Sequence, residues 1–279
     1  MAIRSKRLLW LTVPAAAGLL LAANLVLPTF ANAAAPPQYV TRKSAFNSSA
    51  TKSVRVTCPS GTVVSGVSGG TPSPSALLWT EHRIIDATTV QVIGTEDPAG
   101  YSGNWELYAT AVCTLAAGHE VVHRTRGEAD NILNASSACP AGKLLTGLGG
   151  SGDGSNARLL AMVPTRTKAS TMAYDLWTWD GVLISTTIDI VCVDELIDLQ
   201  VVKSTLASDP SRPSTSQYVH CPAGTVAYGA GYKVSGPSQY DVVLNWTSID
   251  PGGAGATATV RVEDWDYSLT AYAVCGKSG

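Results

Sequence analysis

The chain is short of charge, phenylalanine and histidine. Only 14% of its 279 residues are Asp, Glu, Lys or Arg, there are two Phe and four His, and 19 basic residues do not outnumber 21 acidic ones. A nucleic-acid partner needs a basic surface that displaces counterions from phosphates, so this balance argues against one. It gives anionic lipid no attraction either. No two cysteines stand in C-x-x-C spacing, which removes the usual redox and Cys-rich zinc arrangements. No stretch shows a sustained helical period with caps.

What is present begins with a leader. Arg4, Lys6 and Arg7 precede an apolar run from Leu8 to Leu27, followed by Pro28 and the triplet Ala31-Asn32-Ala33. This is the basic, apolar, small-residue order of a secretory signal peptide, expected to be cleaved after Ala33. The run is also long enough for an uncleaved anchor. Pro14 and the small-residue triplet favour cleavage, leaving residues 34–279 with 16 basic against 21 acidic residues, a net charge of −5. No membrane association is expected after that.

The remainder repeats itself. Cys58-Pro59-Ser60-Gly61, Cys139-Pro140-Ala141-Gly142 and Cys221-Pro222-Ala223-Gly224 start 81 and 82 residues apart. Each unit closes on a second cysteine, in Ala111-Val112-Cys113, Ile190-Val191-Cys192 and Ala273-Val274-Cys275. The units run over 34–117, 118–196 and 197–279. Six cysteines allow fifteen pairings, of which the repeat selects Cys58 with Cys113, Cys139 with Cys192 and Cys221 with Cys275. The rival is a permuted set joining Cys113 to Cys139, Cys192 to Cys221 and Cys58 to Cys275.

Within a unit, β-rich runs alternate with turn chemistry. Cys-Pro-x-Gly suits a type I turn, with Pro at its second position and Gly at its fourth. About five strands per unit are expected, giving an all-β fold of three disulfide-stapled repeats. A period near 82 exceeds that of ordinary solenoids, so each unit reads as a lobe. Closure of the three lobes round a pseudo-threefold axis, in a β-prism-like arrangement, leaves fewer open sheet edges than a string. Gly66, Gly147 and Gly229 each follow the first cysteine of their unit by eight residues. They mark either a local bulge, the preferred reading, or close backbone approach near the axis.

Three patterns invite a chemical reading. His119-Glu120-Val121-Val122-His123 matches H-E-x-x-H, which on a helix brings two histidines to one zinc and supplies a general base. The equivalent residues in the other copies are Gln38-Tyr39-Val40-Thr41 and Gln200-Val201-Val202-Lys203, so a strand is expected, and a strand separates the histidines by about 13 Å at about 3.3 Å per residue. Gly66-Val67-Ser68-Gly69-Gly70 fits G-x-S-x-G, but its equivalents lack Ser, and a nucleophile elbow must open a helix. Asp153, in a Gly-rich stretch, is one carboxylate where calcium needs several oxygen ligands. Asn47, Asn134 and Asn245 head N-x-S/T sequons.

The unit Cys-Pro-x-Gly, a Gly-rich strand and a closing Ala271-Tyr272-Ala273-Val274-Cys275 resembles a repeat of secreted bacterial proteins, mostly actinobacterial. The first copy keeps Ala109-Thr110-Ala111-Val112-Cys113, and the middle copy departs most, ending Ile188-Asp189-Ile190-Val191-Cys192. The resemblance implies a stable extracellular module and carries no activity with it.

The functional expectation is a non-catalytic binding or adaptor module, without cofactor, that recognises another secreted protein or a glycan. Trp79 and Trp246 occupy equivalent places and offer stacking surfaces, although core filling is the preferred reading of such rings. Loops on a rigid scaffold carry binding residues. The segments that differ most between copies are Thr71 to Ser75, Glu96 to Asn104, Ala207 to Ser216 and Pro251 to Ala256, which adds Glu96, Asp97, Tyr101 and Asn104 as candidates. The alternatives are a zinc metallopeptidase using His119, Glu120 and His123, and a structural component of an extracellular particle or surface layer.

Overall fold

A computed structural model of the chain describes residues 36–277, apart from 73–76, 97–99, 129–131, 154–156, 176–183, 210–211, 213, 238–241 and 263–265. The leader and Asp97 lie outside the described residues, as does the side chain of Trp79.

Among the described residues each repeat forms six strands, one more than expected. Repeat 1 carries β1 (Gln38–Lys43), β2 (Thr51–Thr57), β3 (Val63–Gly70), β4 (Leu77–Ile84), β5 (Thr89–Glu96) and β6 (Tyr108–Thr114). Repeat 2 carries β7 (Glu120–Glu128), β8 (Ile132–Ala138), β9 (Leu144–Asp153), β10 (Ala157–Pro164), β11 (Lys168–Asp175) and β12 (Ile184–Val193). Repeat 3 carries β13 (Gln200–Ala207), β14 (Ser214–His220), β15 (Val226–Ser235), β16 (Val242–Ile249), β17 (Gly255–Val262) and β18 (Ser268–Gly276). The additional strand is the one that runs into the first cysteine of each unit. Its inward positions are modest, Lys52, Val54 and Val56 in β2 and Leu133, Ala135 and Ser137 in β8, alternating with exposed polar residues.

No repeat keeps its strands in one sheet. Sheet I has the order β1-β6-β3-β16-β17-β14, sheet II β2-β5-β4-β9-β12-β7 and sheet III β13-β18-β15-β10-β11-β8. Each sheet therefore joins the first, sixth and third strands of one repeat to the fourth, fifth and second of another. The first, sixth and third strands of repeat 1 join repeat 3, those of repeat 3 join repeat 2, and those of repeat 2 join repeat 1. The exchange closes after three steps, so the sheets enclose a common axis and each repeat forms a corner where its two half-sheets pack face to face. Val54, Val56, Val64, Val90, Val92 and Ala111 fill the corner of repeat 1.

The axis is where the three glycines meet. A β-bulge falls at Ser65, Thr146 and Tyr228, and the next residue in each case is Gly66, Gly147 or Gly229. A Cβ on Gly147 would lie 2.0 Å from the Ser65 carbonyl oxygen, one on Gly66 2.0 Å from that of Tyr228, and one on Gly229 2.6 Å from that of Thr146. Both sequence readings hold, since the bulge supplies the carbonyl and the glycine leaves room for it.

The three disulfides pair Cys58 with Cys113, Cys139 with Cys192 and Cys221 with Cys275, with Cα separations of 5.6, 5.6 and 5.7 Å. Cys58 follows β2 and Cys113 lies in β6, so this bridge ties sheet II to sheet I at one corner. The other two tie sheet III to sheet II and sheet I to sheet III in the same way. No free cysteine occurs among the described residues, and three such bridges suit an extracellular or otherwise oxidising environment. No described helix is long and apolar enough to cross a membrane.

Candidate functional site

The outer face of sheet I carries an aromatic pair framed by hydroxyls. A bulge at Asn245 resets the alternation of β16, so that Trp246 and Ser248 are partly exposed while Thr247 and Ile249 point inward. The core preference for Trp246 is thereby corrected. Trp246 sits opposite Gly70 of β3, which in turn sits opposite Tyr108 of β6. With no side chain at Gly70, the rings of Tyr108 and Trp246 approach to a centroid distance of 5.5 Å, tilted by 56°. Gly70 has φ +137°, and a Cβ there would lie 2.0 Å from the Asn245 carbonyl oxygen.

Beside this pair opens a cavity of about 340 Å³, lined by Thr71, Asn245, Trp246, Ser248, Thr257 and Thr259, together with Pro72 and Ser214. Small-molecule sites occupy about 300–1,000 Å³. None of the described residues that line this one is charged. Thr257 and Thr259 are successive outward positions of β17, and Thr259 exchanges a hydrogen bond of 2.8 Å with Ser216 of β14. Aromatic carbon and fixed hydroxyls therefore share one concave surface. Of its residues, the sequence pointed to Trp246, to Asn245 as the head of a sequon, and to Thr71, Pro72 and Ser214 as parts of variable segments. It missed Tyr108, Ser248, Thr257 and Thr259, whose signal is a run of hydroxyl and aromatic residues at every second position.

The loop candidates go elsewhere. Glu96 is the last residue of β5 and is buried, accepting a 2.7 Å hydrogen bond from Trp105 Nε1 and one of 3.4 Å from the Tyr101 amide. Lys52 lies 4.8 Å from the centre of the Trp105 ring and bonds Asn47. Glu96 and half-buried Tyr101 thus belong to the packing of repeat 1, and among the described members of this group only Asn104 is exposed. Asn47 and Asn134 are exposed, whereas Asn245 is buried and presents no open sequon.

Of the H-E-x-x-H residues, Glu120 to His123 lie on strand β7 and none lies on a helix. His119 stands just before β7 and meets the Val64 carbonyl through Nε2 at 2.8 Å, while His123 in β7 donates Nδ1–H to Asp189 Oδ1 at 2.9 Å. The two imidazoles serve different partners, so the zinc reading lacks the helical turn that motivated it. Ser68 is buried within β3, with no helix after it.

Asp189, an oddity of the middle copy, fastens two repeats together. From β12 it reaches across Gly149 of β9 and accepts hydrogen bonds from Arg83 Nε at 2.7 Å and from the Ile84 amide at 3.0 Å, both in β4. At the other two junctions the fourth strand meets its neighbour through Thr247 opposite Gly69 and Met162 opposite Tyr232. The equivalent pairing here would be Thr80 with Gly150, yet His82 stands opposite Gly150. A slide of two residues keeps every side chain on its own face, and the carboxylate of Asp189 holds it.

Glu81 and His82, neighbours on β4, titrate in opposite senses. Burial pushes Glu81 up to about 7, opposed by Arg83 and reinforced by Asp153 and Asp189. Burial lowers His82 to about 4, although Nε2–H donates to the Gly69 carbonyl at 3.0 Å. The Glu81 contribution to stability is full below its ordinary 4.5 and lost as pH rises through 7. The His82 contribution is full above its ordinary 6.5 and lost as pH falls through 4. The two offset each other across this window. On acidification from pH 7.5 to 4.5, wild type should gain about 2–3 kcal/mol relative to Glu81→Gln. Urea unfolding at several pH values measures the difference, and parallel curves for the two proteins would refute the assignment.

No protein-family model matches the chain, and no curated protein matches it.

Proposed function

We propose that the protein is a secreted, non-catalytic glycan-binding module whose site is the cavity beside Trp246 and Tyr108. The observation that carries this reading is the coincidence of an aromatic pair with uncharged hydroxyls on an outer sheet face. A pyranose ring has apolar C–H faces that stack on indole and an equatorial rim of hydroxyls that pairs with Ser, Thr and Asn side chains. The described lining residues offer no ionic complement to a charged protein partner. The closed scaffold fixes the site in advance, which spares the entropy of ordering it on binding. The leader read from residues 1–33 and the three disulfides support action outside the cell.

Binding of neutral oligosaccharides to wild type, Trp246→Ala and Trp246→Phe tests the proposal, with thermal unfolding to establish that each variant is folded. The alanine variant should bind at least tenfold more weakly, equivalent to about 1.4 kcal/mol, and phenylalanine should restore part of the loss. Undiminished binding by Trp246→Ala, or a folded wild type that retains no neutral glycan, would rule it out.

A further inference from the structure

The cavity beside Trp246 has a neighbour. A second hollow, of about 490 Å³, lies at the same end of β14 and is lined by Leu206, Ala207, Asp209, Arg212, Ser214, Thr215 and Ser216. Ser214 lines both hollows. On β14, Ser214 and Ser216 are partly exposed while Thr215 turns inward and bonds the Tyr267 hydroxyl at 2.5 Å. Ser216 also holds Thr259, the next residue towards Trp246 along the row. The surface from Trp246 through Thr259 to Ser216 crosses two strand spacings, about 9.5 Å, before the second hollow begins. That is more than one sugar ring spans.

The two ends differ in chemistry. The first offers an aromatic face and neutral hydroxyls. The second offers the exposed apolar side chain of Leu206 and an exposed ion pair, Arg212 Nε to Asp209 Oδ2 at 3.3 Å. An ion pair of this kind presents a donor and an acceptor side by side, which suits the adjacent hydroxyls of a neutral sugar. Among the described residues that line the two hollows, Arg212 is the one cation and Asp209 pairs it, whereas a uronic or sialic acid would need an uncompensated positive charge.

We infer that the two hollows form one extended site for a linear neutral glycan, with one ring stacked on Trp246 and a later unit of the same chain lying between Leu206 and the Asp209–Arg212 pair. This rests on the glycan reading of the first cavity and adds chain length and direction to it. Arg212 and Leu206 are positioning residues for the distal unit only.

The test is a titration of the full chain with neutral homo-oligosaccharides of one to six units, and with the same series ending in a uronic acid. Wild type should gain at least tenfold in affinity between the monosaccharide and the trimer or tetramer and then level off. Arg212→Ala and Leu206→Asn, both at exposed positions, should each remove most of that gain while leaving monosaccharide affinity unchanged. The acid-terminated series should gain no more than the neutral one. Affinity independent of length, with Trp246→Ala still abolishing binding, would overturn the extended site and keep the single-ring site. An increment with length that survives both distal variants would overturn it as well. Failure of every neutral sugar to bind would remove both readings together.

Discussion

Gly147→Val should prevent the chain from reaching its native fold, whereas Gly142→Ala should be tolerated far better. The two glycines are both invariant among the three repeats and only five residues apart, but they answer to different constraints. Gly142 has φ +86°, with nothing within 4 Å of an added Cβ, so its substitution meets backbone strain of about 1–2 kcal/mol and no collision. Gly147 stands at the axis, where a Cβ would lie 2.0 Å from the Ser65 carbonyl oxygen and 2.7 Å from the Gly66 Cα. Both are backbone atoms of another repeat, so no rotamer change can relieve the overlap. The strands must separate, and because each repeat is paired on both sides, separation at one junction strains the other two. Loss of more than about 5 kcal/mol is expected, beyond what ordinary core substitutions cost. Circular dichroism and soluble yield measure it, and a Gly147→Val protein with near-native melting would show that the axis is not closed.

The repeat, its disulfides and the axial glycines were legible because each is a local pattern that recurs. The exchange of half-sheets was not. Self-alignment shows which segments are equivalent, but equivalence says nothing about whether β4 pairs with β3 of its own repeat or with β9 of the next. The register slide at Asp189 was equally hidden, since it depends on a carboxylate meeting an amide from another repeat. Trp246 was misjudged for a subtler reason. The alternation of β16 runs inward at Val242 and Leu244 and would put Trp246 inward too, but the bulge at Asn245 shifts the phase by one residue. After the bulge the pattern is legible again, as Trp246, Ser248, Thr257 and Thr259 on one face. The additional strand, second in each repeat, escaped notice because it carries few large apolar residues, and only the alternation of its inward positions betrays it.

Reduction should unfold the protein, and it should do so in one transition. In the chain-entropy account each bridge closes a loop of 53 to 55 residues, which stabilises the fold by about 4 kcal/mol through the unfolded chain. Three bridges together reach about 12 kcal/mol, comparable with the whole stability of a typical domain, about 5–15 kcal/mol. Strand exchange determines how that loss is felt. Had each repeat been a self-contained lobe, breaking Cys139–Cys192 would loosen repeat 2 alone and leave two folded neighbours. Here β8 and β12 belong to sheets III and II, and each of those sheets is completed by another repeat. A Cys139→Ala/Cys192→Ala variant should therefore lose about 4 kcal/mol from a single cooperative transition, with no folded remnant. Non-reducing peptide maps should recover the three bridges within repeats, and denaturant unfolding followed by both tryptophan fluorescence and far-ultraviolet circular dichroism should give coincident curves. Two separated transitions in the variant would mean that the repeats fold independently, and an unchanged melting temperature after full reduction would mean that the sheets hold the ring closed without the bridges.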